Sequence, residues 1–288
     1  MWVTYHDKIQ YYYTLINNKP SFIYNIIMKK IYVITGSTSG IGKALVEEFS
    51  KDNIVFAGYR NEDLKLQGHN IIPFYIDLSK PETIQPAIEY INSQHKITTL
   101  INAAGYVVAG PMELISQENL KRQFDVNVFS AIELSKGLNP SKIINISSMS
   151  SFGIYPFIAP YCASKRSLDI LFNLYGIESG INVISIKLGS VATPIWNKSI
   201  KENQSALQNS KQYESETKYL IKNAQKNEIK GMPVKKVVEF IKKKDSLKNP
   251  KPSYTLGFDA KVTEIFSHLP QSFINFVIKQ KLKNMKNK

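Results

Sequence analysis

The chain has 288 residues, of which 43% are hydrophobic and 21% charged, and a single cysteine, Cys162. This composition is typical of one globular domain. A single cysteine excludes an intrachain disulfide framework and favours the cytoplasm. No apolar run reaches the roughly 18 residues that a membrane span needs. The net charge of +14 favours an anionic partner (nucleic acid, acidic lipid or a phosphate-rich cofactor), although a lysine-rich composition alone gives the same charge.

Residues 1–27 differ in character from the remainder of the chain, and Met28 directly precedes the first apolar run. We predict that residues 1–27 are an extension that is loosely attached or not native, and that one domain occupies residues 28–288. The alternative is an added edge element packed on the domain.

After Met28, apolar runs of strand length alternate with helical patterns. The runs are rich in Ile and Val and nearly continuous, as in strands buried on both faces. The alternation predicts an α/β fold with a doubly wound parallel sheet and helices on both faces, and ligands bind such sheets at the carboxyl ends of the strands. The segment from 60 to 70 has room for little more than a turn. The predicted strands are Ile31–Thr35, Ile54–Tyr59, Ile71–Ile76, Thr98–Asn102, Lys142–Ser147 and Asn182–Leu188, and the predicted helices are Ile41–Ser50, Pro81–Gln94, Gln117–Lys136 and Tyr161–Gly176.

A glycine-rich loop joins the first predicted strand to the first predicted helix. Gly36 allows a sharp turn, Gly40 lets the backbone approach a pyrophosphate, and Gly42 lets the helix pack close to the sheet. The helix N-terminus then offers free N–H groups to phosphates. A plain glycine-rich turn is the alternative. The predicted cofactor contacts of this loop are Gly36, Ser37, Ser39, Gly40, Ile41 and Gly42.

The ends of the next three strands carry further candidates for cofactor binding. Arg60 stands where an NAD-specific site would place an acidic residue, and its guanidinium suits a 2′-phosphate, so we predict a preference for NADP(H) over NAD(H). Asp77, followed by Leu78, is placed to accept from the adenine amino group, or it caps the next helix. Small residues let the backbone pass close to the cofactor in the run Asn102, Ala103, Ala104 and Gly105.

Four polar residues suit proton transfer beside the cofactor. Tyr161 and Lys165 are four apart and share one helix face, so the lysine ammonium can stabilise a phenolate whose ordinary pKa is near 10. Ser148, at the end of the fifth strand, can hydrogen-bond the substrate oxygen, and Asn127 can hold a water that links Lys165 to solvent. Each residue alone is a weak indication, and their combined order carries the prediction.

With these motifs the chain resembles the short-chain dehydrogenase/reductase family, in its short single-domain branch, from about residue 30 to about 286. The matching features are the Thr-Gly-xxx-Gly-x-Gly loop, the Asn-x-Ala-Gly motif, and the tetrad with twelve residues between Ser148 and Tyr161. The resemblance implies a Rossmann-like single domain, NAD(P), and a homodimer or homotetramer. It implies that Tyr161 is the acid/base, that Lys165 also holds the nicotinamide ribose, and that Ser148 orients the carbonyl. Thr193 is expected to contact the carboxamide, and Val191 is a further predicted cofactor contact. Leu188 departs from the family pattern, which has proline there, so the geometry of the adjoining loop is less certain.

The rest of the chain falls where the family is variable. Residues 195–227 correspond to a substrate lid, and the tail modestly resembles members that act on lipophilic alcohols. Residues 258–288 are predicted to form a C-terminal tail helix, with Phe273, Phe276 and Val277 packed on the domain and the lysines in solvent. The alternative is that this helix lies on an acidic membrane surface.

The sequence therefore predicts an oxidoreductase that interconverts an alcohol and a ketone or aldehyde, and the substrate is expected to be lipophilic. A catalytically silent NAD(P)-binding regulator or scaffold is the alternative, and an intact tetrad argues against it. Nucleic-acid binding has only the net charge in its favour, because no basic-aromatic module is readable. No metal site is predicted.

Overall fold

The computed structural model describes residues 29–202 and 211–286, so residues 1–27 and part of the expected lid lie outside the described residues. Seven parallel strands form one sheet in the order β3-β2-β1-β4-β5-β6-β7. The predicted Rossmann-like, doubly wound single domain is confirmed. The strands are β1 (Ile31–Ile34), β2 (Ile54–Tyr59), β3 (Ile71–Tyr75), β4 (Thr99–Asn102), β5 (Lys142–Ser148), β6 (Asn182–Leu188) and β7 (Ser253–Leu256).

Helices cover both faces of the sheet. They are α1 (Gly40–Phe49), α2 (Ile84–Asn92), α3 (Gln117–Phe124), α4 (Ser130–Leu138), α5 (Ala159–Ser179), α6 (Ile195–Glu202), α7 (Glu214–Lys230), α8 (Val234–Asp245), α9 (Phe258–Ser267) and α10 (Gln271–Lys286). Across the described residues, none of them is both long enough and apolar enough to span a membrane.

The two faces of the sheet bury separate cores because side chains alternate along each strand. In β1, Tyr32 and Ile34 pack on the face that carries α1 and α8. Val33 points to the other face, against α2 and α4. The order of the strands reverses between β1 and β4, which opens a crevice at their carboxyl ends.

Several predicted boundaries are wrong. The helix predicted over Gln117–Lys136 is interrupted by a turn of π-helix at Asp125–Phe129. It ends at Leu138, and the next residue, Asn139, takes a left-handed conformation with φ 43°. The helix predicted from Pro81 starts as a 3₁₀ turn, Pro81–Thr83. The seventh strand was not predicted, because its four residues are only half-buried and carry no apolar run. The segment from 60 to 70 holds the 3₁₀ turn Glu62–Leu64 and an isolated bridge at Gly68, and no α-helix, as expected.

The prediction of a single tail helix is also wrong, since α9 and α10 are separate helices divided at Pro270. Among residues 271–284 of α10, only Ile274 is inserted deeply, at 2% exposure, whereas Phe273 is 49% and Phe276 58% exposed. The predicted packing of Phe273, Phe276 and Val277 on the domain is therefore incorrect: the helix turns a different face inward.

Candidate active site

A cavity of about 300 Å³ lies at the carboxyl ends of the strands. It is bordered by the loop after β1, the ends of β2, β4 and β5, the first half of α5, and the loop after β6. The structure brings together on it most of the predicted site residues: Gly36, Ser39, Gly40, Ile41, Gly42, Arg60, Asp77, Leu78, Ala103, Ala104, Gly105, Ser148, Tyr161, Lys165, Val191 and Thr193.

The loop after β1 fits a phosphate-bearing cofactor. Gly36 has φ +66°, and a Cβ there would lie 2.7 Å from the Cα of Ala104. A Cβ on Gly42 would overlap the carbonyl of Gly36. Both positions therefore require glycine, and the first N–H groups of α1, which have no partner within the helix, border the cavity.

Three predicted site residues lie behind the cavity wall. Ser37 is fully buried, and its hydroxyl donates to the carbonyl of Gly58 at 2.6 Å. The amide nitrogen of Asn102 donates to the side chain of Asn145 at 2.8 Å. These contacts tie the loop after β1 and the end of β4 to their neighbouring strands, so both residues shape the cavity from outside it.

Asn127 is the third residue behind the wall, and the turn of π-helix aims its side chain inward. Its Oδ1 accepts from the backbone N–H of Tyr106 at 2.8 Å. Its Nδ2 donates to the Tyr106 carbonyl and to the Ser164 hydroxyl, both at 3.0 Å. Asn127 thus holds the loop after β4 against α5, and the predicted water link to Lys165 stays a prediction.

The ends of β2 and β3 carry the two candidates for recognition of the adenosine half. Arg60 is exposed and borders the cavity. Glu62, the nearest acidic residue after β2, is not among the lining residues and pairs instead with Lys65. Asp77 borders the cavity while its Oδ1 accepts from the Ser79 hydroxyl at 2.7 Å. Asp77 therefore fixes the turn after β3 and still faces the cavity. The capping alternative is wrong, because the N-cap positions of the next two helical segments are Lys80 and Thr83 and neither makes a side-chain capping hydrogen bond.

Tyr161 and Lys165 lie one turn apart on α5, at 6% and 4% exposure. Burial raises the pKa of Tyr161 to about 12, with its hydrogen bond to Ser148 acting in the opposite direction. Burial lowers the pKa of Lys165 to about 8, although nearby Asp169 favours the charged form. The Lys165 amine donates to the carbonyl of Ile146 at 2.7 Å and lies 5.9 Å from the centre of the Tyr161 ring. In the protein by itself Tyr161 is therefore a protonated phenol at neutral pH.

The loop after β6 is held without the family's proline. The Gly189 N–H donates to the carbonyl of Leu256 in β7 at 2.8 Å. The carboxylate of Asp259, from the start of α9, accepts from the Ser190 N–H at 2.7 Å. Contacts from the last part of the chain thus fix the loop that carries Val191 and Thr193.

Sequence reasoning missed part of the lining. Trp196 of α6 meets the Tyr161 ring edge-on, with centroids 6.0 Å apart. The guanidinium of Arg122 lies 4.6 Å from the centre of the Tyr106 ring, and both residues border the cavity. Lys198 of α6 reaches across to the Ser39 hydroxyl at 3.3 Å. The position of the lid gave a signal for α6, but no local pattern points to Arg122.

Comparison with known proteins agrees with this geometry. The family model for short chain dehydrogenases matches residues 30–204. An oxidoreductase of Bacillus subtilis, YusZ, is 29% identical and covers 88% of this chain and 99% of its own. The NADPH-dependent 3-dehydrocapnine reductase of Ornithobacterium rhinotracheale is 31% identical, over 58% of this chain and 67% of its own.

Two further similarities extend the comparison. A 3-ketodihydrosphingosine reductase of Bacteroides thetaiotaomicron is 26% identical, over 77% of this chain and 85% of its own. The crystal structure of a short-chain dehydrogenase from Streptomyces avermitilis has a TM-score of 0.67 at 18% identity, over 89% of this chain and 98% of that one. At that identity the likeness concerns the fold.

Proposed function

We propose a function from the fact that this chain belongs to the short-chain dehydrogenase/reductase family. In this proposal it is an NADP(H)-preferring enzyme that interconverts a lipophilic ketone or aldehyde and the corresponding alcohol. The observation that carries the proposal is the convergence of Ser148, Tyr161 and Lys165 on the cavity that the glycine loop also borders. A bound NADPH would supply the hydride for carbonyl reduction. A silent regulator would not need these three residues in one cavity.

The charges around the cavity support a polyanionic cofactor. Among the described residues, the charged side chains along its wall are one acid, Asp77, and four cations, Arg60, Arg122, Lys165 and Lys198. In this proposal the N-terminus of α1 holds the pyrophosphate, and Lys198 faces it from α6. Arg60 holds the 2′-phosphate, which accounts for the NADP(H) preference.

Tyr161 acts as the proton donor when a carbonyl is reduced. The oxygen of the carbonyl gains negative charge as the carbon takes up hydride, so a proton must reach that oxygen. With its pKa raised to about 12, the Tyr161 phenol is loaded with that proton at neutral pH. Ser148 donates a hydrogen bond to the same oxygen, and the Lys165 ammonium, one helical turn away, stabilises the phenolate left behind.

The apolar side of the cavity supports a lipophilic substrate. Val107, Ile158 and Tyr161 form one buried cluster, against which Ile195 and Trp196 of the lid helix pack. Two of the relatives, named as 3-ketodihydrosphingosine reductase and 3-dehydrocapnine reductase, have names that agree with reduction of a keto group. The residues from 195 to 227 act as the substrate lid in this proposal.

Exposed apolar residues on α5 support a homodimer or homotetramer in this proposal. Ile170, Leu174 and Ile177 are 47%, 48% and 74% exposed, and their spacing places them on one face of the helix. We place the pairing of two copies on this face. Sedimentation of a Leu174→Glu, Ile177→Glu variant should show a smaller species than the wild type, and an unchanged species would exclude this interface.

A screen of NADPH oxidation, monitored by fluorescence, tests the proposed function. In this proposal the enzyme acts in the cytoplasm. Ketones and aldehydes of graded size should be reduced, with larger apolar substrates giving the higher kcat/KM. A protein that binds NADPH but oxidises it with none of these compounds would favour the regulator.

A further inference from the structure

Helix α9, the last but one helix of the chain, carries a stripe of exposed apolar side chains. Phe258, Val262, Ile265 and Leu269, just past its end, are 86%, 48%, 72% and 41% exposed. Their spacing of four, three and four residues places them on one face of the helix. Ala260 and Thr263, on the opposite face, are buried at 0% and 8% exposure. The helix therefore packs on the domain by its smaller residues and leaves its largest apolar side chains outside.

Helix α10 continues this surface. Phe273, Phe276 and Val277 share one face and are 49%, 58% and 36% exposed. The rings of Phe266 and Phe273 lie 6.4 Å apart across the bend between the helices, which connects the two stripes. We call the seven exposed residues the C-terminal apolar surface; they are Phe258, Val262, Ile265, Leu269, Phe273, Phe276 and Val277.

Exposed lysines border the C-terminal apolar surface. At 100° per residue, Lys261 lies at the edge of the α9 stripe, and Lys279 and Lys283 lie on the corresponding side of the α10 stripe. Lys281 is turned instead toward the Tyr219 ring, 5.8 Å away. The acidic residues of these helices do not cancel this charge, since Asp259 accepts from the Ser190 N–H and only Glu264 stands beside the lysines.

We propose that the C-terminal apolar surface docks on an anionic lipid bilayer. An amphipathic surface with large apolar side chains bordered by lysines is suited to the boundary between headgroups and acyl chains, where the lysines meet lipid phosphates. A second copy of the chain is a poorer partner, because pairing this face with itself would bring lysines against lysines. The apolar face of α5 lacks this border: residues 166–179 contain one arginine and two acidic residues.

The docking surface connects physically to the candidate active site. On its inner side, Thr263 of α9 shares a hydrogen bond of 2.7 Å with the hydroxyl of Tyr155, which packs on the apolar cluster of the cavity. A lipophilic substrate taken from the bilayer would therefore meet the cavity close to the surface. The docking itself rests on exposed residues and stands independently of the proposed reaction.

Vesicle co-sedimentation of the full chain tests the proposal. The protein should sediment with vesicles of equal parts phosphatidylglycerol and phosphatidylcholine, and much less with phosphatidylcholine alone or at high salt. Two triple variants should each bind the anionic vesicles at least about tenfold more weakly than the wild type. The serine variant combines Phe258→Ser, Ile265→Ser and Phe276→Ser, and the glutamine variant combines Lys261→Gln, Lys279→Gln and Lys283→Gln. Circular dichroism and the melting temperature show that each variant is folded.

Matched controls lie elsewhere on the molecule. Ile229→Ser removes a residue of α7 that is 80% exposed, and Lys235→Gln, Lys236→Gln removes two exposed lysines of α8. Both controls should bind vesicles as the wild type does. Equal loss in controls and triple variants, or retained binding in the triple variants, would overturn the proposal. So would a change in oligomeric state of the serine variant without lipid, which would assign the surface to a second copy.

Discussion

Two loops face each other across the cavity, and they are fixed in different ways. The loop after β1 is shaped by its own glycines, which let backbone lie against backbone at Gly36 and Ala104. The loop after β6 is held by distant residues, Leu256 of β7 and Asp259 of α9. Both loops pack on residues far along the chain, since Ala104 lies sixty-eight residues beyond Gly36 and Asp259 sixty-nine beyond Ser190. The difference is that the first loop takes its shape from glycines in its own sequence, whereas the second is held by hydrogen bonds from the C-terminal part of the chain. The adenosine side of the site should therefore tolerate changes in the C-terminal part that the nicotinamide side does not.

Lys165→Ala should have the largest effect, because in the proposed mechanism Lys165 both stabilises the Tyr161 phenolate and holds the nicotinamide ribose. Turnover should fall by on the order of a hundredfold or more, and NADPH should bind more weakly. The pKa of Lys165, lowered to about 8, predicts that NADPH binding in the wild type weakens as pH rises through about 8. Fluorescence titration across pH measures this, and Lys165→Ala should lack that transition.

The same group affects stability with the opposite sign. Between pH 8 and the ordinary lysine pKa of 10.5, the unfolded chain binds the proton that folded Lys165 has lost. The contribution of Lys165 to the free energy of unfolding should therefore increase with pH in this range. A pH-independent affinity for NADPH in the wild type would contradict this view of Lys165.

Asp259→Ala tests the nicotinamide side alone. Loss of the carboxylate frees the Ser190 N–H and loosens the loop of Val191 and Thr193, so kcat should fall by about tenfold, the scale of one lost charge-assisted hydrogen bond. The Kd of adenosine 2′,5′-bisphosphate, which lacks the nicotinamide, should stay unchanged. Glu264→Ala, on the same helix, is the matched control. Weakening of adenosine 2′,5′-bisphosphate binding to the same extent as kcat falls would remove the distinction between the two loops.

Arg60→Ala tests the adenosine side. The ratio of the Kd values for NADH and NADPH, measured by fluorescence titration, should shrink several-fold, because a surface guanidinium contributes roughly 1 kcal/mol or somewhat more to a phosphate. Affinity for NADH should hardly change. Arg166→Ala, an exposed arginine of α5, is the control. Equal affinities for the two cofactors in the wild type would rule out the assignment of Arg60.

Removal of residues 1–27 should have the smallest effect. A protein that begins at Met28 should keep its turnover and its melting temperature, because β1 starts only at Ile31 and pairs with β2 and β4. A large fall in melting temperature would show that these residues complete the core.

The contrast between the two loops also explains what could be predicted. The strands β1 to β6 were predictable because strands buried on both faces have nearly continuous runs of Ile and Val. The place of the cavity was predictable because parallel strands bring their carboxyl ends to one edge of the sheet. Tyr161 and Lys165 could be placed on one helix face because residues four apart in a helix are neighbours. Other features could not be predicted because their roles depend on contacts between remote segments. They are β7, Arg122, Trp196 and Asp259. The exposed face of α10 was mistaken for the buried one because its apolar residues surround the helix.

In the proposed reaction Tyr161 delivers the proton, and the most direct test of this role is single-turnover reduction by Tyr161→Phe with NADPH already bound. The substitution removes one oxygen and keeps the ring against Trp196, so folding and the Kd for NADPH should be nearly unchanged. The rate of NADPH oxidation should fall by on the order of a hundredfold or more. Tyr155→Phe, whose oxygen bonds Thr263, is the control and should keep most of its rate. A Tyr161→Phe enzyme that oxidises NADPH at a rate close to the wild type would contradict the role of Tyr161 as proton donor.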